Sequence, residues 1–186
     1  MPRLFTGLEL PEEVGSALSL KRGGLYGARW VDAENYHITL RFIGDVDHHI
    51  ANEVAESLDR LVTSLRFSIR VTHLASFGGD KPRSLYAGIE PNEALVRLQA
   101  AQERLLQLAG VPPEGRKFVP HVTLARLRGT TAMDVARFIT EAGRFEPLEI
   151  PVSHFVLYSS RDSVGGGPYV VEQSYPLAAT GQDFVS

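Results

Sequence analysis

Val71-Thr72-His73-Leu74-Ala75-Ser76-Phe77 lines up residue for residue with Val152-Ser153-His154-Phe155-Val156-Leu157-Tyr158, and this match decides how the chain is read. Both stretches alternate like strands, and each is followed by a glycine- and proline-bearing turn and a second strand-like run. The first turn is Gly78-Gly79-Asp80-Lys81-Pro82 and the second is Val164-Gly165-Gly166-Gly167-Pro168. Tyr86 in the one following run matches Tyr169 in the other. The repeat extends upstream. Glu93 to Leu108 reads as a helix with Leu95, Leu98, Leu105 and Leu108 on one side, and it answers Asp47 to Leu65 with Ile50, Val54, Leu58, Leu61 and Val62 at three- and four-residue spacing. Arg3 to Leu8 reads as a strand, Pro11-Glu12-Glu13 as a helix start, and Lys21 to Gly27 as a glycine-rich loop. Trp30 to Ile43 and Lys117 to Leu127 are expected to be extended, Thr131 to Ala142 helical, and Leu148 to Tyr158 and Tyr169 to Tyr175 strands. The expected architecture is α+β: one domain over 1–186, duplicated into two similar interleaved lobes with approximate halves 1–90 and 91–186. Two similar lobes packed about an approximate two-fold axis would bring equivalent strand positions together at a shared cleft.

The chain has 186 residues, 44% hydrophobic and 22% charged, enough for an ordinary core. No apolar run is long enough for a membrane helix, and the start MPRLFTGLEL lacks a signal-peptide core, so the expectation is a cytoplasmic protein with no membrane partner; a monomer is expected as well. The lack of cysteine excludes disulfides, thiolate metal sites and a cysteine nucleophile. A net charge of -3 argues against coating nucleic acid broadly, but allows a local phosphate pocket.

The chemistry is carried by a motif present in both copies, His37-Ile38-Thr39-Leu40 and His121-Val122-Thr123-Leu124. On a strand, residues two apart share a face, so each histidine projects with its threonine while Ile38, Leu40, Val122 and Leu124 turn to the core. Imidazole titrates near neutral pH, so one copy can act as base and the other as acid, and threonine offers a hydroxyl donor to a phosphoryl oxygen. One His-x-Thr is an ordinary pattern for a half-buried strand; two in matching places point to a shared site.

His37-Ile38-Thr39-Leu40-Arg41-Phe42-Ile43-Gly44-Asp45-Val46, with Pro120-His121-Val122-Thr123-Leu124-Ala125-Arg126, resembles the 2H phosphoesterase superfamily. Within it the chain is most similar to the bacterial and archaeal RNA 2',3'-cyclic phosphodiesterases, also called 2'-5' RNA ligases. The resemblance runs from Arg3 to about Leu177. It implies a bilobal α+β fold of two antiparallel sheets flanking a central cleft with helices outside, and hydrolysis of RNA 2',3'-cyclic phosphate ends to a 2'-phosphate without metal or other cofactor. It also implies, in some members, weak reversible 2'-5' ligation. By the same resemblance His37, His121, Thr39 and Thr123 are catalytic, with His121 as base and His37 as acid. The pseudo-symmetry leaves that direction open from the residues alone. Phosphodiesters with 2'-5' linkage, small cyclic nucleotide phosphates, and binding of nucleotide or RNA without turnover are the alternative functions.

Arg126 stands where the family carries a phosphate-contacting arginine, although strict alternation would aim it away from His121 unless a bulge or the strand end turns it. Arg41 lies on the motif face by alternation, but its counterpart in the second copy is Ala125. Phe77 and Tyr158 are candidates to stack on a base, with core packing the competing role for at least one of them, and Phe118 is a further candidate. Trp30 is undistinguished between base platform and core anchor. Adjacent His48 and His49 point about a hundred degrees apart on a helix, a poor chelate geometry, and His73 and His154 are read as structural. Gly165-Gly166-Gly167 is read as a hairpin turn rather than a phosphate loop.

Overall fold

The structure is a computed structural model, and it describes residues 3–61, 64–160 and 168–179. Nine strands form one antiparallel sheet: β1 Arg3–Glu9, β2 Ala28–Trp30, β3 His37–Asp45, β4 Phe67–Phe77, β5 Ser84–Ile89, β6 His121–Leu127, β7 Leu148–Val152, β8 His154–Ser160 and β9 Tyr169–Pro176. Their order is β7-β4-β5-β6-β3-β1-β8-β9, with β2 pairing β6. The two expected sheets correspond to β7-β4-β5-β6 and β3-β1-β8-β9. They meet at the single residue pair Ile38–Val122. Each half of the sheet draws strands from both halves of the chain.

Four helices, α1 Glu12–Ser19, α2 His48–Leu58, α3 Glu93–Leu108 and α4 Ala132–Ala142, cover the face that carries Ile38, Leu40, Val122 and Leu124. Their apolar stripes, including Val14, Val54, Leu95, Leu98, Leu106 and Phe138, join those strand residues in one core. Start signals are local. Asp47 and Asn92 accept from Ile50 and Leu95 backbone N–H groups, and Thr131 with Asp134 forms a reciprocal capping box. A second, smaller cluster of Phe5, Val156 and Tyr158, with Tyr169 against it, sits apart from this core.

Several boundaries differ from expectation. Trp30 to Ile43 is broken by a short 3-10 turn at Ala33–Asn35, and the extended segment expected from Lys117 begins as a strand only at His121. The second helix ends at Leu58 and tightens into a 3-10 turn at Asp59–Leu61. The single strand expected over Leu148 to Tyr158 is two strands that part at Ser153 and join opposite halves of the sheet. Pro151 explains why β7 lies at an edge, since proline cannot donate to a second neighbour. The turn at Gly165-Gly166-Gly167 lies outside the described residues.

Candidate functional site

The antiparallel pair Ile38–Val122 brings the two motifs together in crossed order, with His37 and Thr39 on one side and Thr123 and His121 on the other. Ile38 and Val122 are fully buried, which holds both histidines and both threonines on the opposite, half-exposed face. His37, Thr39 and Thr123 line a cleft of about 240 Å³ with Arg3, Phe42 and Arg126. His121 is not in that lining, but after burial, the larger cause, its charge also helps to hold the His37 pKa down.

Both imidazoles are fixed in the same way. The Nδ1–H of His37 donates to the Asn35 carbonyl at 2.9 Å, and that of His121 to the Val119 carbonyl at 2.6 Å. A carbonyl can only accept, so Nδ1 carries the proton and Nε2 is the basic nitrogen of the neutral ring. In His37 that Nε2 lies 3.0 Å from Thr39 Oγ1. Each ring also has an aromatic box. His37 lies 5.1 Å from Phe5, 5.5 Å from Tyr158 and 4.8 Å from Tyr169, and His121 lies 4.8 Å from Phe77 and 5.1 Å from Tyr86. Burial is the main reason that both histidines titrate below the ordinary imidazole value; the carbonyl bonds oppose it.

Two bulges decide which residues follow the motifs into the cleft. Between β5 and β6 the partners step from Tyr86–Thr123 to Leu85–Ala125, leaving Leu124 as an extra residue. The phase of β6 is thereby reversed, and Arg126 turns to the motif face, where it lines the cleft with an exposed side chain. Between β1 and β3 the step from Gly7–Thr39 to Thr6–Arg41 does the same at Leu40. Arg41 therefore does not lie on the motif face. It is 4% exposed, bonded to Glu103 and to the Phe42 and Pro112 carbonyls, and Phe42 takes the cleft position that Arg126 has in the other copy.

The remaining candidates separate clearly. Tyr158 is 6% exposed and stacks on Phe5 at 4.9 Å as a wall behind His37, whereas Phe77 is half-buried and stacks on Tyr86 at 4.3 Å. Phe118 packs partly buried against the main core. Trp30 packs against Phe138, a core contact. His48 and His49 are exposed in the first turn of α2, where Asp47 supplies the cap. His154 bonds Ser153 and Glu9, while His73 bonds Thr72 and lies on Gly88, where an added Cβ would meet its ring at 2.2 Å. Among the described residues no group of three His, Cys, Asp or Glu side chains is arranged to hold a metal. Asn35, Arg3, Phe5, Phe42 and Tyr169 line the cleft without having been named as site candidates from the sequence. The position of Phe42, five residues after His37 as Arg126 is five after His121, was the available signal.

The fold has known counterparts. A Thermus thermophilus protein of known crystal structure superposes with a TM-score of 0.78 at 28% identity, covering 95% of this chain and 98% of that one. Escherichia coli LigT crystallised with 3'-AMP shares the fold at 24% identity with a TM-score of 0.74, covering 95% and 99%. In sequence, the RNA 2',3'-cyclic phosphodiesterase of Thermotoga maritima is 34% identical over 177 residues, 91% of this chain and 92% of the relative. That of Aeropyrum pernix is 34% identical over 155 residues, 82% and 88%. The description of the 2'-5' RNA ligase superfamily matches residues 18–163, a span that holds both His-x-Thr motifs, both bulges and Arg126. The chain belongs to the 2'-5' RNA ligase superfamily.

Proposed function

We propose that this protein hydrolyses RNA 2',3'-cyclic phosphodiester ends to a 2'-phosphate by acid and base catalysis from its two histidines. The observation that carries the reading is the shared anchoring of both imidazoles. Each Nδ1–H is tied to a carbonyl two residues upstream, which leaves both Nε2 atoms as the groups able to exchange a proton. A cyclic phosphate seated between the motifs meets one neutral and one protonated Nε2, as in-line displacement needs. His121 removes a proton from the attacking water, and protonated His37 delivers one to the departing 3' oxygen. That breaks the P–O3' bond and leaves phosphate on the 2' oxygen. Thr39 and Thr123 donate to the non-bridging oxygens, and Arg126 offsets the charge that grows on them. His37 is the acid in this reading because its Nε2 already has a hydroxyl partner in Thr39, which holds the ring oriented while it waits for the leaving oxygen. No cofactor has a place in the scheme. Phe77, which is half-buried where Tyr158 is buried, is the residue we assign to base stacking, with Tyr158 backing His37.

The test is product analysis of an oligoribonucleotide with a 2',3'-cyclic phosphate end. A 2'-phosphate, removable by phosphatase and distinguishable from the 3' isomer by chromatography, is expected. Release of the 3' isomer, or intact substrate from pH 5 to 9, refutes the assignment. Running a 2'-5' linked dinucleotide and a small cyclic nucleotide alongside separates the other phosphodiester substrates.

A further inference from the structure

We propose that Arg29 and Arg128 extend Arg126 into a cationic track that holds the phosphates of the RNA strand 5' to the cyclic end. The site would then take oligonucleotides in preference to a mononucleoside 2',3'-cyclic phosphate. The proposal rests on the function assigned above and adds the substrate class.

Strand β2 pairs with β6 so that Arg29 stands directly opposite Arg126. Opposed residues of an antiparallel pair put their side chains on one face, close together, and like charges placed so destabilise the sheet. Neutral Ser84 flanks Arg126 on the other side, so no counter-charge comes from there. Arg128 follows two residues along, and its N–H still bonds the Gly27 carbonyl at 3.0 Å, so the ladder continues and alternation keeps Arg128 on the same face as Arg126. All three side chains are exposed, and no carboxylate among the described residues forms an ion pair with any of them. This happens in a chain with 22 acidic and 19 basic residues, where a counter-ion would be easy to find by chance. Arg3, across the cleft, does have one in Asp45.

The track begins at the chemistry. Arg126 lines the cleft with His37 and Thr123, and so does Val31, two residues from Arg29 and bonded through its N–H to the Leu124 carbonyl at 2.9 Å. A 2',3'-cyclic phosphate closes the 3' end of an RNA, so all of the strand that remains lies on its 5' side. Arg126 and Arg128 are about 6.7 Å apart along the strand, a step of the size that separates successive phosphates. Charged groups in such a groove bind the backbone without reading its sequence.

The experiment compares wild type with Arg29→Ala/Arg128→Ala on two substrates, an oligoribonucleotide of about eight residues ending in a 2',3'-cyclic phosphate and a mononucleoside 2',3'-cyclic phosphate. The variant should lose about tenfold in kcat/KM on the oligonucleotide, through KM, and stay within about twofold on the mononucleotide. The Lys/Lys variant should keep most of the oligonucleotide rate. With two phosphate contacts gone, the dependence of log kcat/KM on log salt should flatten by about 1.4. Equal losses on the two substrates, or no loss on the oligonucleotide, overturn the track. A fluorescent single strand with a 3'-phosphate, titrated by anisotropy, reads the track without turnover. If wild type cleaves neither substrate, the assigned reaction fails, and the track then stands or falls on whether the Ala/Ala variant binds that strand more weakly than wild type.

Discussion

Replacing Glu103 by glutamine tests the buried pair under the first motif strand. Arg41 is 4% exposed and Glu103 19%, and they face each other from β3 and α3, with a second guanidinium bond to Glu103 at 3.2 Å. The Glu103 carboxylate also accepts from the Glu114 backbone N–H at 3.0 Å and from Gln107 at 2.8 Å. The Arg41 hydrogen bond, ahead of the other effects, holds its pKa at about 2 rather than the ordinary 4.5. At about 1.4 kcal/mol per unit, that difference corresponds to about 3 kcal/mol of folding stability. Loss of one partner from a buried pair costs about 3 to 5 kcal/mol by an independent route, because the other charge is left uncompensated. Glu103→Gln should therefore lower the unfolding free energy by about 3 kcal/mol at pH 7, read from urea titrations with unchanged m-value. The folded pKa is depressed, so the contribution is complete above pH 4.5 and is lost as pH falls toward 2. The gap between wild type and variant should accordingly shrink to roughly half by about pH 3. The double change Arg41→Met/Glu103→Leu should recover most of the loss, since a packed apolar pair needs no partner. A cost under about 1 kcal/mol at pH 7, or a gap that stays constant down to pH 3, refutes the reasoning.

His37→Ala and His121→Ala should each lower turnover about a hundredfold or more, and the double variant should fall well short of the product of the two losses. Near-full activity in either single variant would make that motif structural. Thr39→Ala and Thr123→Ala should cost less, about 1 to 3 kcal/mol in transition-state stabilisation by kcat/KM, with circular dichroism verifying the fold. Because burial depresses both imidazoles, the bell of kcat/KM against pH should have both limbs displaced to the acid side of the ordinary imidazole value; limbs on the alkaline side contradict the site environment. Gly7→Ala should destabilise by about 1 to 3 kcal/mol and reduce activity, since its Cβ would lie 2.7 Å from the Ile38 carbonyl and 3.0 Å from the Tyr158 ring; an alanine variant with wild-type melting would show that the strand yields there.

Much of this is written locally, and some is not. The helix from Glu93 to Leu108 has the bounds its leucines predict, because an apolar period and an asparagine cap are short-range properties, but its buried side carries Leu106 where Leu108 was expected, and Leu108 is 79% exposed. The motif residues share a face for an equally local reason, the two-residue period of a strand. Arg41 and Arg126 changed faces because bulges depend on how a neighbouring strand pairs, which no window of β3 or β6 contains. Only Arg126 carried a hint, since its expected role demanded a bulge. Leu148 to Tyr158 reads as one strand because alternation continues through Ser153, and the parting of β7 from β8 is a matter of topology. Pro151 was the one local sign of it. The rings around His37 come from β1, β8 and β9, elements far apart in sequence, so their convergence emerges only from the assembled sheet.

The junction at Ile38 and Val122 has a mechanical consequence. In two slabs paired through a single rung, relative displacement is smallest at the rung and grows with distance from it. The motif histidines are the immediate neighbours of the rung, whereas β7 and β9 lie at the far rims. Any displacement of one slab against the other would therefore be felt most at β7 and β9 and least in the spacing of the two motif histidines. The two histidine motifs occupy the fulcrum.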